Sequence, residues 1–182
     1  MILNLEEIAH TFTDKLSKIK LVAFDVDGIL TDGTVQWQGR EVEFNRNFHI
    51  RDGYGFRMLM SLGFHVAVIS GGKSLGLETR MNQLGITHQY LGNEDKRAAY
   101  NDLKKKLSLK DEEILYMGDE LFDIPLLKRA GFAATIETAS REVRDACDYI
   151  AQTPAGYGCA REVIDLMRIV QNIHPEIPQF ED

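Results

Sequence analysis

Leu21-Val-Ala-Phe-Asp-Val-Asp-Gly28 begins as an unbroken apolar run and ends in two acids and a glycine. A short apolar run with a polar carboxyl end predicts a central parallel strand covered on both faces. The same design recurs downstream. His65-Val-Ala-Val-Ile-Ser70 runs into Gly71-Gly72, Thr87–Leu91 into Gly92, and Ile114-Leu-Tyr-Met-Gly118 into Asp119, followed by Phe132–Ile136 and Tyr149–Ala151. Helical patterns separate these runs at Gly53–Leu62, Leu75–Leu84, Asp95–Leu107, Leu121–Ala130 and Ser140–Ala146. Alternating strands and helices predict βαβ units, hence an α/β fold with a parallel sheet and helices on both faces.

Two segments lie outside this alternation. Leu5, Ile8, Phe12 and Leu16 space an amphipathic helix over the first 18 residues, laid on the domain before its first strand. Thr34–Gln38 and Glu41–Asn45 alternate in polarity around Gly39-Arg40, which predicts a protruding β-hairpin over 34–45. Its apolar face, Val35, Trp37, Val42 and Phe44, has no place in a doubly wound core, and an isolated hairpin is marginal in water. It therefore needs the domain or a second subunit to pack on. The tail, 171–182, carries prolines and acids and is expected to fray.

The bulk numbers bound the function. A chain of 182 residues suits one domain, and 44% hydrophobic residues suffice for a core. The net charge of −7 argues against nucleic-acid binding but not against a small anionic substrate. The first residues read as no signal peptide, and no run approaches a membrane span. Cys147 and Cys159 lack zinc spacing and read as reduced thiols of a cytoplasmic protein.

In open α/β sheets, ligands bind outside the carboxyl ends of the strands. The residues that close the predicted strands are Asp25 and Asp27, Ser70 with Gly71, then Asp119, with Glu120 and Asp123 following. Lys96 opens the helix after Gly92. Phosphoryl transfer uses such a set for positioning and electrostatic stabilisation. A carboxylate such as Asp25 can attack phosphorus, and Mg²⁺ held by Asp25 and Asp119 can relieve the repulsion between two anions. Asp27 can protonate the leaving oxygen and then activate water. Ser70 can donate to a phosphate oxygen, and Lys96 is a point cation. Singly, each residue has a plainer reading: Asp-x-Asp-Gly as a turn or calcium loop, Ser-Gly-Gly as a turn, Lys96 as a solvated lysine, Asp123 as a helix cap. A calcium loop also needs a glutamate at its twelfth position, where Gln36 stands. The order of the whole set, each member behind an apolar strand, favours the chemical reading.

Phe24-Asp25-Val26-Asp27-Gly28, Ser70, Lys96 and Gly118-Asp119-Glu120-Leu-Phe-Asp123 resemble the four motifs of the haloacid dehalogenase superfamily. Within it, Asp25–Gly33, Phe48–Gly55, Leu84–His88 and Gly156–Glu162 are similar to the family of 3-deoxy-D-manno-octulosonate 8-phosphate phosphatases, from about Lys20 to about Val170. The resemblance implies a Rossmann-like fold without a separate cap domain. It implies Asp25 as nucleophile, Asp27 as general acid/base, and Mg²⁺ on the Asp25 and Asp119 side chains and the Asp27 carbonyl. It further implies a cytoplasmic homotetramer built through the hairpin, active in lipopolysaccharide precursor synthesis. One departure concerns substrate: the family often has Thr-Gly-Arg after the second strand, and here Ser70-Gly71-Gly72-Lys73 leaves Lys73 as the nearby cation. Arg51 and Arg80 are candidates to clamp a substrate carboxylate, and Asp32 to orient a hydroxyl. Rival readings are a phosphatase of a nine-carbon sialic-type 9-phosphate and a non-catalytic oligomerisation module.

Overall fold

The computed structural model describes residues 4–41, 43–177 and 180. Val42 of the predicted hairpin face, Pro178 of the predicted tail, and 1–3, 179, 181 and 182 lie outside the described residues. In chain order the elements are α1 (Leu5–Thr11), α2 (Thr13–Leu16), β1 (Leu21–Phe24), β2 (Gln36–Trp37), β3 (Phe44–Asn45), α3 (Ile50–Ser61), β4 (His65–Ser70), α4 (Leu75–Leu84) and β5 (His88–Leu91). They continue with α5 (Arg97–Lys106), β6 (Ile114–Met117), α6 (Ile124–Leu127), β7 (Phe132–Ile136), α7 (Arg141–Arg144), β8 (Tyr149–Ala151) and α8 (Cys159–Val170).

Six strands form one parallel sheet in the order β5-β4-β1-β6-β7-β8. Every residue of β1 and β6 is buried, as a strand covered on both faces requires. The chain leaves β1 toward β4 and β5, then returns on the other side at β6. That reversal opens a crevice at the carboxyl ends of β1 and β6. Phe24 pairs with Met117 in register, and the Asp25 amide donates to the Met117 carbonyl at 2.9 Å. The register thus brings the first and fourth motifs face to face.

Three elements differ from the sequence expectation. The predicted first helix is broken at Phe12, whose ring turns inward to meet Phe132 edge-on at 5.2 Å and Tyr149 at 6.1 Å. The pattern over Leu121–Ala130 begins as a 3₁₀ turn, Leu121–Asp123, because the Asp123 side chain points into the domain. The third is α8, whose pattern went unread although Ala160, Val163, Ile164 and Met167 have helical spacing and are fully buried. It packs against α1, α2, α3 and β8. Val163, Ile164 and Met167 each contribute roughly 1.5–3 kcal/mol when removed from water. The same helix buries Glu162, which accepts from the Tyr149 hydroxyl and the Gln152 and Thr153 amides and so fixes the chain leaving β8.

The segment between β1 and α3 contains a short antiparallel pair, β2 and β3, with Trp37 opposite Phe44. Their rings lie 5.2 Å apart, yet Val35, Trp37 and Phe44 stay 47%, 57% and 45% exposed. Glu43 ties this pair to the domain by accepting from the Leu75 amide at the start of α4.

Candidate active site

Asp25 follows β1 and is 2% exposed. Lys96 is fully buried too, with its ammonium 2.8 Å from Asp25 Oδ1 and 2.7 Å from Asp123 Oδ1. Asp123 is the hub. Its Oδ1 accepts from Lys96 and from the Tyr116 hydroxyl at 2.6 Å, and its Oδ2 accepts from the Asp119 and Glu120 amides. Burial and then the Asp123 charge push the Tyr116 phenol well above its usual value, so it remains a donor. Tyr116 escaped sequence reasoning. Its signal was a hydroxyl on a fully buried strand, which requires a partner.

Gly28 makes room for the fourth motif. Its φ is +92°, and a Cβ there would stand 2.0 Å from Asp119 Oδ2, so any other residue would displace the carboxylate. Carboxylate oxygens of Asp25, Asp119 and Asp123 lie within 4.8 Å of one another. Burial, opposed by Lys96 and aided by Asp123, pushes the Asp25 carboxyl up to about 7. Burial, with Asp25 and Asp123 adding to it, pushes Asp119 up to about 8. Fully ionised, three carboxylates against one ammonium lack two positive charges. Asp119 Oδ1 is buried without a hydrogen bond, Asp25 Oδ1 meets the Lys96 ammonium, and Asp123 has both oxygens engaged. A divalent, oxygen-seeking cation fits that charge deficit and the Asp25 and Asp119 carboxylates.

The other predicted residues fall around this centre. Ser70 is buried, its Oγ accepting from the Gly72 amide, which leaves the hydroxyl proton free to donate. Asp27 is gripped on both oxygens by Arg46, a residue the sequence analysis did not single out. Gly71 packs by Glu94, and Glu120 faces solvent, accepting from the Leu121 amide. Lys73 is exposed and pairs with Glu78 at 3.5 Å. Asp32 accepts from the Thr34 amide and hydroxyl, which lower its carboxyl below the usual value.

Arg51 is exposed, and Arg80 lines a small cavity of about 10 Å³ together with His49 and Asp52. Asp52 accepts from the Arg161 amide at 2.7 Å, and its Oδ2 is buried without a partner. Burial, against that amide, pushes Asp52 up to about 6 from 3.8. A raised carboxyl contributes stability that is complete below the unfolded value and is lost as pH rises through the folded one. Asp52→Asn keeps the acceptor for Arg161. It is expected to remove a stability loss of about 2 kcal/mol between pH 4 and pH 6, at roughly 1.36 kcal/mol per unit once both ends of the titration are counted. Urea unfolding of both proteins across that window checks it, and parallel curves would refute it.

A family model of haloacid dehalogenase-like hydrolases matches residues 81–163. The 3-deoxy-D-manno-octulosonate 8-phosphate phosphatase of Yersinia pestis is 35% identical over 165 residues, 91% of this chain and 88% of its own. That of Escherichia coli K12 is 37% identical, covering 86% and 83%. This chain belongs to that phosphatase family, within the haloacid dehalogenase-like hydrolases. The fold agrees. The 3-deoxy-D-manno-octulosonate 8-phosphate phosphatase of Moraxella catarrhalis, solved in complex with magnesium ion, phosphate ion and KDO, superposes with a TM-score of 0.85 and 35% identity over 90% of this chain and 93% of that one. Family membership makes this chain a phosphoric monoester hydrolase.

Proposed function

We propose that this phosphatase hydrolyses 3-deoxy-D-manno-octulosonate 8-phosphate with Mg²⁺, through an aspartyl-phosphate on Asp25. The observation that carries the mechanism is the buried Asp25–Lys96–Asp123 chain beside Asp119, whose Oδ1 is buried without a partner. The Asp25 and Asp119 side chains would hold the ion. When bound, it neutralises the acids and the phosphate oxygens so that two anions can approach.

The chain's own groups do the rest. Asp25 Oδ attacks phosphorus as the P–O bond to the sugar breaks. Lys96, held between Asp25 and Asp123, fixes the carboxylate and supplies charge to the phosphoryl oxygens. Ser70 donates to one of those oxygens. Asp27 gives its proton to the leaving sugar oxygen. It then takes a proton from the water that splits the aspartyl-phosphate, releasing phosphate and restoring Asp25.

The eight-carbon substrate is carried over from relatives of matching length and fold. It would place the protein in the cytoplasm, in lipopolysaccharide precursor synthesis. Among the described residues, no helix is long and apolar enough to cross a membrane. The exposed Val35, Trp37 and Phe44 support a homotetramer in which a second copy covers the hairpin. The Gly71-Gly72 loop, without an arginine, keeps a nine-carbon 9-phosphate as the second reading. Phosphate release from both sugars, with and without Mg²⁺, tests this. The expected result is Mg²⁺-dependent release with kcat/KM at least about tenfold higher for the eight-carbon substrate. The reverse preference moves the substrate but keeps the mechanism. No release from any phosphomonoester would leave an oligomerisation module.

A further inference from the structure

Arg46 directly follows β3, and its side chain is only 6% exposed. Its Nε donates to Asp27 Oδ1 at 2.6 Å and one terminal nitrogen, NH2, to Asp27 Oδ2 at 2.9 Å. The other, NH1, donates to the Phe44 carbonyl at 3.2 Å and to Ser74 Oγ at 3.0 Å. A guanidinium carries five N–H groups. Four are thus committed, and the fifth is on NH2.

That nitrogen lies over Gly72. A Cβ at position 72 would stand 2.8 Å from NH2 and 2.7 Å from Asp27 Oδ2. The absence of a side chain there is what lets an arginine from the hairpin reach this space. No cation of the Gly71–Lys73 loop competes for it, since Lys73 turns outward to Glu78. Arg51 is exposed, and Arg80 lines the separate small cavity beside Asp52. Arg46 is therefore the arginine that borders the catalytic acids.

Its side of the reaction follows from its partner. Asp27, on the proposed function, serves the leaving sugar oxygen. A guanidinium bonded to Asp27 therefore faces the sugar acid. Both Asp27 oxygens accept from Arg46, and the oxygen that carries the proton for the leaving group is the poorer acceptor, so its bond to the guanidinium is the one that can be given up. With its bond to Asp27 Oδ2 released and its fifth N–H free, NH2 offers charged donors that a substrate carboxylate can meet.

We propose that Arg46 is a specificity-determining residue that binds the carboxylate of the sugar-acid substrate, exchanging its bond to Asp27 Oδ2 for it. Nε keeps Asp27 Oδ1, so Asp27 stays oriented while its other oxygen becomes available to the leaving group. Substrate recognition and release of the acid/base are then one event. The hairpin is part of the binding site through Arg46.

This inference rests on the sugar-acid reading, and its test separates the two. Wild type, Arg46→Ala and Arg46→Lys are assayed with Mg²⁺ on the eight-carbon sugar-acid phosphate and on 4-nitrophenyl phosphate, which has no carboxylate. The free sugar acid is measured as a competitive inhibitor of 4-nitrophenyl phosphate hydrolysis. For Arg46→Ala, the ratio of kcat/KM on the sugar-acid phosphate to that on 4-nitrophenyl phosphate is expected to fall about 10- to 100-fold, chiefly through KM. The inhibition constant of the sugar acid rises by a similar factor, the usual worth of a charged hydrogen bond. Arg46→Lys keeps the charge without the fork and should fall between. Equal losses on both substrates with an unchanged inhibition constant would make Arg46 only a positioning residue for Asp27 and overturn the proposal. A wild-type protein that cleaves 4-nitrophenyl phosphate but neither cleaves nor binds the sugar acid fells the substrate reading and this inference together. An intact wild-type preference with an unmoved variant ratio fells the inference alone.

Discussion

Asp25→Asn is expected to abolish Mg²⁺-dependent phosphate release, by on the order of 10⁴-fold or more, and yet to raise the melting temperature in EDTA. The loss follows from the role. An amide cannot form the acyl phosphate, both Asp123 oxygens are engaged, and Asp119 is the proposed holder of the ion. The gain follows from the electrostatics. Replacing one member of a buried ion pair usually destabilises, because the other charge is stranded. Here Lys96 retains Asp123 at 2.7 Å, and what disappears is one of three crowded carboxylates. Burial leaves the Asp25 carboxyl at about 7 even with the Lys96 ammonium beside it, so the cost of keeping this charge out of water outweighs the pair. About three units correspond to roughly 4 kcal/mol at neutral pH. The sign is that of a raised acid: wild type loses this stability as pH climbs from about 4 through 7, and the variant does not. Melting curves in EDTA at pH 4 and pH 8 measure it. A melting temperature that drops at pH 8 would remove the buried-charge account, and residual turnover above about one part in a thousand would remove the nucleophile.

What the sequence could convey about this site depends on how far each residue is from a strand it labels. Asp25, Ser70 and Asp119 stand at the ends of apolar runs, and a parallel sheet brings such ends to one edge whatever the loops do. Lys96 was legible because it opens the helix after β5. Asp123 was legible as a residue but not as the hub, because its four bonds join the 116–120 stretch to Lys96, which is 27 residues away. Tyr116 was hidden by its own strand, where a tyrosine reads as bulk. Arg46 had no local signal. It reaches Asp27 only because a short hairpin folds back and Gly72 leaves space, a tertiary coincidence of 19 and 26 residues' separation that no periodicity encodes. Helix α8 went unread for the opposite reason: its pattern was present, but Glu162 and Asp165 interrupt its apolar face and are themselves buried.

Lys96→Met is the substitution expected to cost the most stability. Lys96 is fully buried, 2.8 Å from Asp25 and 2.7 Å from Asp123, with its ammonium 4.7 Å over the Phe122 ring. Methionine matches its length and leaves little cavity, so the effect isolates the charge. Without the ammonium, Asp25, Asp119 and Asp123 keep their oxygens within 4.8 Å with no cation between them. Stranding buried charge in this way costs about 3–5 kcal/mol. Two of these carboxyls already stand at about 7 and about 8 with the lysine present, and its loss can only push them higher. The direction with pH is then fixed: the variant is most stable where the acids are protonated and loses stability as pH rises. In EDTA, urea unfolding should show a small deficit at pH 5 and a deficit of several kcal/mol at pH 8. Mg²⁺ should restore part of the pH 8 deficit, because a divalent ion binds the folded cluster and stabilises it by mass action. Phosphate release should stay at least on the order of 10³-fold down even then, since the ion restores charge but not the donor that orients Asp25 and meets the phosphoryl oxygens. A deficit of equal size at pH 5 and pH 8, untouched by Mg²⁺, would mean that Lys96 holds the site by packing rather than by charge.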